Sequence, residues 1–343
     1  MIQPPEKLQA LIDRAQNLTP VRVAVACAAQ LVVLETVRDA TLLGLVAPRL
    51  VGDPDAILGL CSDLDWQVDP DWIIPATTDS EAASLAVTMV RRGEVDVLMK
   101  GNLHTDALMR AILDRETGLR LAHHRCSHIF LLDVPSHDRL IGITDAAINI
   151  TPDLVAKGEI CQNAIDLFHK LGVHAPRVAV LSAVETVTSV IPSTLDAAVL
   201  TLMARRGQIT GAQVDGPLAF DNAVSVGAAR EKGILSEVAG VADILLVPDL
   251  VSGNILAKAL EYLGGAVAAG VALGLSAPVV LTSRADPAVA RLASLAVAAL
   301  MLDHSKKQNT EVPKAEASLA AAPQPEHACC APQSTLALAE VAE

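Results

Sequence analysis

Aromatic side chains are nearly missing from this 343-residue chain: two Trp, one Tyr and three Phe make up 2% of it. Ring–ring contacts therefore cannot organise the interior. With 52% hydrophobic residues, the core falls to Ala, Val and Leu, which pack helix closely on sheet but bring little area per contact. The chain also lacks any Lys/Arg run with interleaved aromatics, and its net charge is −13. Both exclude an extended nucleic-acid face, which needs clustered positive charge. An anionic substrate would require a local cationic pocket. Cys27, Cys61, Cys126, Cys161, Cys329 and Cys330 contain no C-x-x-C pair, as expected of free thiols in a reducing, cytoplasmic setting rather than a disulfide framework. His327, Cys329 and Cys330 lack zinc-site spacing, and H-E-x-x-H and EF-hand patterns are absent, so no metal is expected. Walker, G-x-G-x-x-G and G-x-S-x-G motifs are absent too, which removes the sequence support for P-loop, dinucleotide-binding and serine-hydrolase readings.

A membrane partner is not expected either. The N-terminus, MIQPPEKLQ, has no apolar signal core. Residues 262–283 are uncharged, but Gly264, Gly265, Gly270, Gly274 and Pro278 interrupt them. That stretch reads as an Ala/Gly-rich helix, a turn at 274–278 and a short Val/Leu strand rather than a bilayer span.

What the chain does have is alternation. Strand-like runs at 21–27, 49–52, 95–99, 128–133 and 139–144 are separated by helix-like runs at 29–43 and 81–92, the latter capped by Ser80. A second series starts near Asn149: a helix from Pro152 to Leu171, strands 177–182 and 209–214, a helix to Arg206 capped by Ser193 or Thr194, a helix 223–232, the strand 244–247, and a helix from about Asn254. The return to the first series is placed near Pro278, followed by a helix 287–302. Such alternation predicts α/β architecture with parallel-dominated sheets. The expected units are 1–148 plus 278–304, 149–277, and an Ala-rich disordered tail 305–343.

Several polar loops follow uncharged, strand-length runs. Asp221, Asn222, Asp249, Asn254, Ser283 and Arg284 all fall just past such runs, where open parallel sheets bind ligands. The Arg284 fork suits phosphate oxygens, and Ser283 could donate to an oxyanion. The alternative is an Arg284–Asp286 pair at a helix start, with Ser283 as cap. The loop Lys100-Gly101-Asn102-Leu103-His104-Thr105 leaves a strand and enters a helix, a geometry that favours anions; Arg110 follows two turns on. Gly216–Pro217 is expected to make a tight turn after a strand. Lys258, one turn beyond Asn254, shares its helix face.

Taken together, the blocks DAAINITPDL, LSAVETV, IPSTLDAA, GQITGAQVDGPLAFDNAVS, VAGVADILLVPDLVSGN and PVVLTSRAD resemble, in order, the phosphate acetyltransferase/phosphate butyryltransferase family, with wording closest to the butyryl branch. The resemblance runs from about Val21 to Leu302. It implies a two-domain α/β fold with an interdomain cleft, like isocitrate and isopropylmalate dehydrogenases. It implies the reaction acyl-CoA + phosphate = acyl phosphate + coenzyme A, with no cofactor, and a homo-oligomer. It places Ser283 and Arg284 at the family's active-site pair, with Asp286 the nearest acid. Lys100, Gly101, His104, Thr105 and Arg110 are matched to coenzyme A or phosphate binding, with Gly216, Pro217, Asn222, Asn254 and Lys258 as further substrate-binding candidates. The acetyl branch carries a catalytic Asp six residues beyond the Arg, and here that position is Ala290. A non-catalytic acyl-CoA-binding protein and an NAD-dependent dehydrogenase on the same fold are the alternatives.

Overall fold

The computed structural model describes residues 5–122, 124–283 and 286–310, with side chains through residue 302. The expected tail beyond residue 310, with His327, Cys329 and Cys330, lies outside the described residues. The strands are β1 (Val21–Ala26), β2 (Val46–Gly52), β3 (Ile73–Pro75), β4 (Val97–Lys100), β5 (Ser127–Asp133), β6 (Ile141–Thr144), β7 (Arg177–Leu181), β8 (Gln213–Leu218), β9 (Ile244–Leu246), β10 (Val267–Leu273) and β11 (Val279–Val280). The helices are α1 (Glu6–Gln16), α2 (Leu31–Leu42), α3 (Pro54–Asp63), α4 (Asp79–Arg91), α5 (Thr105–Leu113), α6 (Leu154–Lys170), α7 (Pro192–Arg205), α8 (Phe220–Val224), α9 (Val226–Glu231), α10 (Leu250–Tyr262) and α11 (Ala288–Thr310).

All eleven described strands join one sheet, in the order β3-β2-β1-β4-β11-β10-β5-β6-β9-β7-β8. Seven of its ten pairings are parallel. The other three, β11–β10, β10–β5 and β5–β6, are antiparallel and adjacent. Strand direction therefore reverses in the middle of the sheet: β1, β2, β3, β4, β11 and β5 run one way, and β10, β6, β9, β7 and β8 the other.

Side chains alternate between faces along each strand. Val25, Met99, Val280, Val271, Ile129, Thr144 and Leu246 form a single row across seven strands. Their apolar members join one continuous core with α1, α2, α6, α7 and α11. The opposite face carries two separate clusters. One packs Ala26, Leu98, Ala272, Val279 and Leu281 under α4 and α5. The other packs Phe130, Leu132, Ile143 and Leu245 under α8, α9 and α10. By the same alternation, Lys100 on β4, Gly270 on β10 and His128 on β5 face this second side, along the seam between the clusters.

The segment expected to be an Ala/Gly-rich helix is instead strand β10. Alanine's helix preference is overridden because the segment lies between β11 and β5 and hydrogen-bonds to both. Gly270 is required there: an added Cβ would lie 2.9 Å from the Leu281 carbonyl oxygen and 3.1 Å from His128 Nε2. Gly216–Pro217 is not a turn. Its peptide is cis and lies inside β8, an edge strand, where a missing N–H is tolerated. The expected strand 209–214 is thus displaced to 213–218. Thr78 rather than Ser80 caps α4, accepting from Glu81 N. Thr194 does not cap α7; its hydroxyl donates to the Thr188 and Ile191 carbonyls at 2.7 and 2.8 Å. The expected 223–232 helix is split at Ser225 into α8 and α9.

The exit from β6 is held by Asp145, which is 2% exposed. Its carboxylate accepts from the backbone N–H groups of His128, Ala147, Ile148 and Asn149 at 3.2, 2.9, 3.0 and 3.3 Å, and from Asn149 Nδ2 at 2.6 Å. Asp145→Ala should strand several buried donors and lower stability by about 3 kcal/mol, read as a lower urea midpoint. A midpoint within error of wild type would mean that water replaces the carboxylate.

Candidate functional site

The strand reversal decides which candidate residues can meet. β1, β4 and β11 leave the sheet through one edge, taking Cys27, Lys100–Gly101 and Ser283 with them. β6, β7, β8 and β9 leave through the other edge. The strands ahead of Asp221, Asn222, Asp249 and Asn254 therefore run opposite to the strand ahead of Ser283, because the antiparallel trio at the centre turns the sheet back.

At the first edge, Ser283 and Asp286 bond to each other ahead of α11. The Asp286 carboxylate accepts from Ser283 N at 2.6 Å, and Asp286 N donates back to the Ser283 carbonyl at 3.2 Å. A buried arginine of α11, Arg291, holds this pair from beneath. Its guanidinium donates to Thr282 Oγ1 and the Ser283 carbonyl, both at 2.8 Å, and to the Asp286 carbonyl at 3.3 Å. Arg291 is 1% exposed, and burial lowers its pKa against the opposing pull of Asp286. Arg284, between them in sequence, lies outside the described residues. The sequence reading missed Arg291. The signal was an arginine alone in the apolar run of α11, which is costly to bury unless its fork is satisfied.

Lys258 reaches the same pair because α10 starts at the far edge and runs back across the sheet. Its ammonium donates to Glu261 at 2.8 Å and lies 5.9 and 5.8 Å from the Phe130 and Tyr262 ring centroids. Burial opposes the Lys258 charge, but Glu261, followed by Asp286, outweighs it and raises the pKa. A cavity of about 200 Å³ opens between Glu261, Tyr262, Asp286 and Ala290. A methyl group thus stands in this wall where the acetyl branch is expected to carry a carboxylate.

On the neighbouring strands, Lys100 is 3% exposed and donates to the Gly101 carbonyl at 3.4 Å. Gly101 has no room for a side chain, because a Cβ would overlap the Ala26 and Cys27 carbonyls. Cys27, missed as a site neighbour, has φ 57°. Burial and Asp79, against Lys100, push its thiol up to about 12, so it stays protonated and is a poor nucleophile. His104 precedes α5 without a side-chain cap bond, and His104, Thr105 and Arg110 are exposed.

The remaining candidates have partners of their own. Asn254 donates to the Ala146 carbonyl at 3.2 Å. Asn222 is fully buried and donates to Glu185 at 3.3 Å. The Gly216 carbonyl accepts from Thr201 Oγ1 at 3.3 Å. Pro217 is buried in β8.

Comparison with known proteins then decides the family. A family model described as phosphate acetyl/butaryl transferase matches residues 74–299. This chain belongs to that family. It is 50% identical over 296 residues to a phosphate acetyltransferase of Rhizobium meliloti, covering 86% of this chain and 93% of the relative. It is 42% identical over 291 residues to a phosphate butyryltransferase of Clostridium acetobutylicum, covering 85% and 96%. Among solved structures it resembles a branched-chain phosphotransacylase from Enterococcus faecalis V583, with TM-score 0.72, 29% identity, and coverage of 82% of this chain and 99% of that one. Family members move acyl groups between coenzyme A and phosphate, and the chain is accordingly an acyltransferase. No helix among the described residues is long and apolar enough to cross a membrane.

His128, also missed from sequence, is 1% exposed at the seam and packs edge-on to Phe130 with centroids 4.5 Å apart. Burial lowers its pKa to about 4, against the opposing pulls of Asp145 and the Leu281 carbonyl. The unfolded value is about 6.5, so the unfolded chain protonates first as the pH falls. The stability from neutral His128 is fully present above about pH 6.5 and is lost between there and about pH 4. His128→Leu should therefore show a shallower fall of its denaturation midpoint across that window. Slopes equal to wild type would assign the titration to another group.

Proposed function

We propose that this chain transfers a short acyl group, acetyl or butyryl, between coenzyme A and inorganic phosphate, with both as substrates and no cofactor. The observation that carries the reading is the hold on Ser283: Asp286 and Arg291 both bond to its backbone at the strand edge, with Lys258 facing Asp286 and Lys100 on the adjoining strand. A phosphate oxygen attacks the thioester carbonyl, a tetrahedral intermediate forms, and the coenzyme A thiolate departs as acyl phosphate is made. Arg284 grips the incoming phosphate and screens its charge. The Ser283 hydroxyl donates to the oxyanion. The Ser283 N–H is not available for this because it already donates to Asp286. Asp286 thus acts first as the brace of Ser283. In the reverse direction its second carboxylate oxygen helps take the thiol proton, whose ordinary pKa is about 8.5.

In the same reading, the seam between the two clusters is the substrate cleft. The lobes on either side are 1–148 with 278–304 and 149–277, in an arrangement like that of isocitrate and isopropylmalate dehydrogenases. The protein works in the cytoplasm as a homo-oligomer. Exposed Leu195, Val199 and Leu202 on one side of α7 offer a second copy an apolar face.

With phosphate present, thiol release from acetyl- or butyryl-CoA should be fast in the wild type. It should fall by a factor of about 10²–10³ in Ser283→Ala, the usual loss of one oxyanion donor, and approach background in Arg284→Ala. Near-normal Arg284→Ala turnover would remove the phosphate clamp. Acyl-CoA binding without phosphate-dependent release would favour a pure binder, and NAD reduction with a 2-hydroxy acid would favour a dehydrogenase.

A further inference from the structure

A cavity of about 500 Å³ opens on the other face of the sheet, between α1, the connection from β5 to β6, the end of α6 and the start of β7. Its wall is hydrocarbon: Leu11, Leu131, Phe168 and Leu171 are all buried members of the main core. Leu131 and Phe130 are neighbours on β5 and point to opposite faces. The sheet therefore separates this cavity from the seam where His128, Phe130 and Lys258 lie. The polar side chains that line it are all charged: Lys7, Arg139, Arg177 and Asp243. No lining side chain carries a hydroxyl, an amide or an imidazole. A ligand there meets apolar surface along its body and charge at one end.

The sign of that charge is set by one unopposed cation. Lys7 is paired with Asp133 at 2.7 Å and donates to the Val134 and His137 carbonyls at 3.2 and 2.7 Å. Asp243 accepts from the Arg177 backbone N–H at 2.9 Å and lies 3.7 Å from the Arg139 guanidinium. One carboxylate thus faces two guanidiniums, and the Arg177 side chain has no hydrogen-bond or ion-pair partner among the described residues. Burial, followed by Arg139, lowers the pKa of His137 nearby, so its ring adds no charge at neutral pH. A half-buried guanidinium against apolar wall is costly until an anion meets it. A carboxylate fits its fork with two parallel bonds, and a monoanion matches the single positive charge left over. We propose that this cavity binds a medium-length, unbranched alkanoic acid as its carboxylate, with the head group on Arg177 and Arg139 and the chain against Leu131 and Phe168. The occupant touches α1 and β5 from the first series of elements and α6 and β7 from the second, and ties the two together. The site lies apart from Ser283, and its assignment does not depend on acyl transfer.

The test is calorimetry of the full chain with hexanoate, octanoate and decanoate. Affinity should rise about 4-fold per added methylene, the gain from burying one CH₂. Octan-1-ol should bind at least about 10-fold more weakly than octanoate for want of a charge. No octanoate binding at millimolar ligand overturns the proposal, and octanol binding as tightly as octanoate overturns the carboxylate assignment. Two variants locate the site. Arg177→Gln, which keeps the backbone bond to Asp243, should weaken octanoate binding about 10-fold. Ala10→Trp, at an exposed position on α1, should fill the mouth and abolish it. Octanoate should raise the urea midpoint of the wild type and leave that of Ala10→Trp unchanged. If both variants bind octanoate as the wild type does, the carboxylate sits elsewhere and the proposal fails. Displacement of octanoate by coenzyme A or by an acyl phosphate would place it beside Ser283 and overturns the proposal equally.

Discussion

The structure depends on β10, a strand built almost entirely of Ala, Val and Gly at the centre of the sheet. It pairs antiparallel with both neighbours, and together with the antiparallel β5–β6 pairing it reverses the direction of the sheet. Its small side chains let α11 approach closely enough for Ser294 Oγ to accept from Gly270 N at 2.9 Å. That contact places α11, and α11 places Arg291 under the turn that carries Ser283. The near-absence of aromatics is thus a condition of the site. A bulky residue in β10 would lift the helix and withdraw the guanidinium from the three oxygens it holds.

Charge follows a matching logic. Two anionic substrates meet in an acidic protein, so cations must be local and held in place. Lys258 is balanced by Glu261 and stacked beside two rings. Lys100 is buried at a strand end. Arg291 spends its donors on backbone and hydroxyl oxygens rather than on substrate. Cys27, protonated beside Asp79, adds no charge of its own.

Much of this was legible in the sequence. Ordered blocks such as GQITGAQVDGPLAFDNAVS and PVVLTSRAD identify the family, and uncharged runs mark β5, β7, β9 and β11. Asp286, three residues from Ser283, and Lys258, four residues from Asn254, do come to the Ser283 turn. Arg291 and His128 were passed over for one reason. A polar residue inside an apolar run gives no sign of its partners until the strands and helices that supply them are in place. That the strands ahead of Asn222 and Asn254 run opposite to the one ahead of Ser283 was not legible, because strand direction is not written in a strand's own residues.

The sequence by itself determined the chemistry, the α/β class and the acyl-transfer family, because side-chain types, their spacing and the order of blocks are local properties. Tertiary structure decided that 267–273 is a strand, that the sheet turns back on itself, and that Asp286 braces Ser283 while Arg291 supports both. Those outcomes depend on pairings between segments more than a hundred residues apart, as between β10 and β5, whose energy exists only once both partners are present.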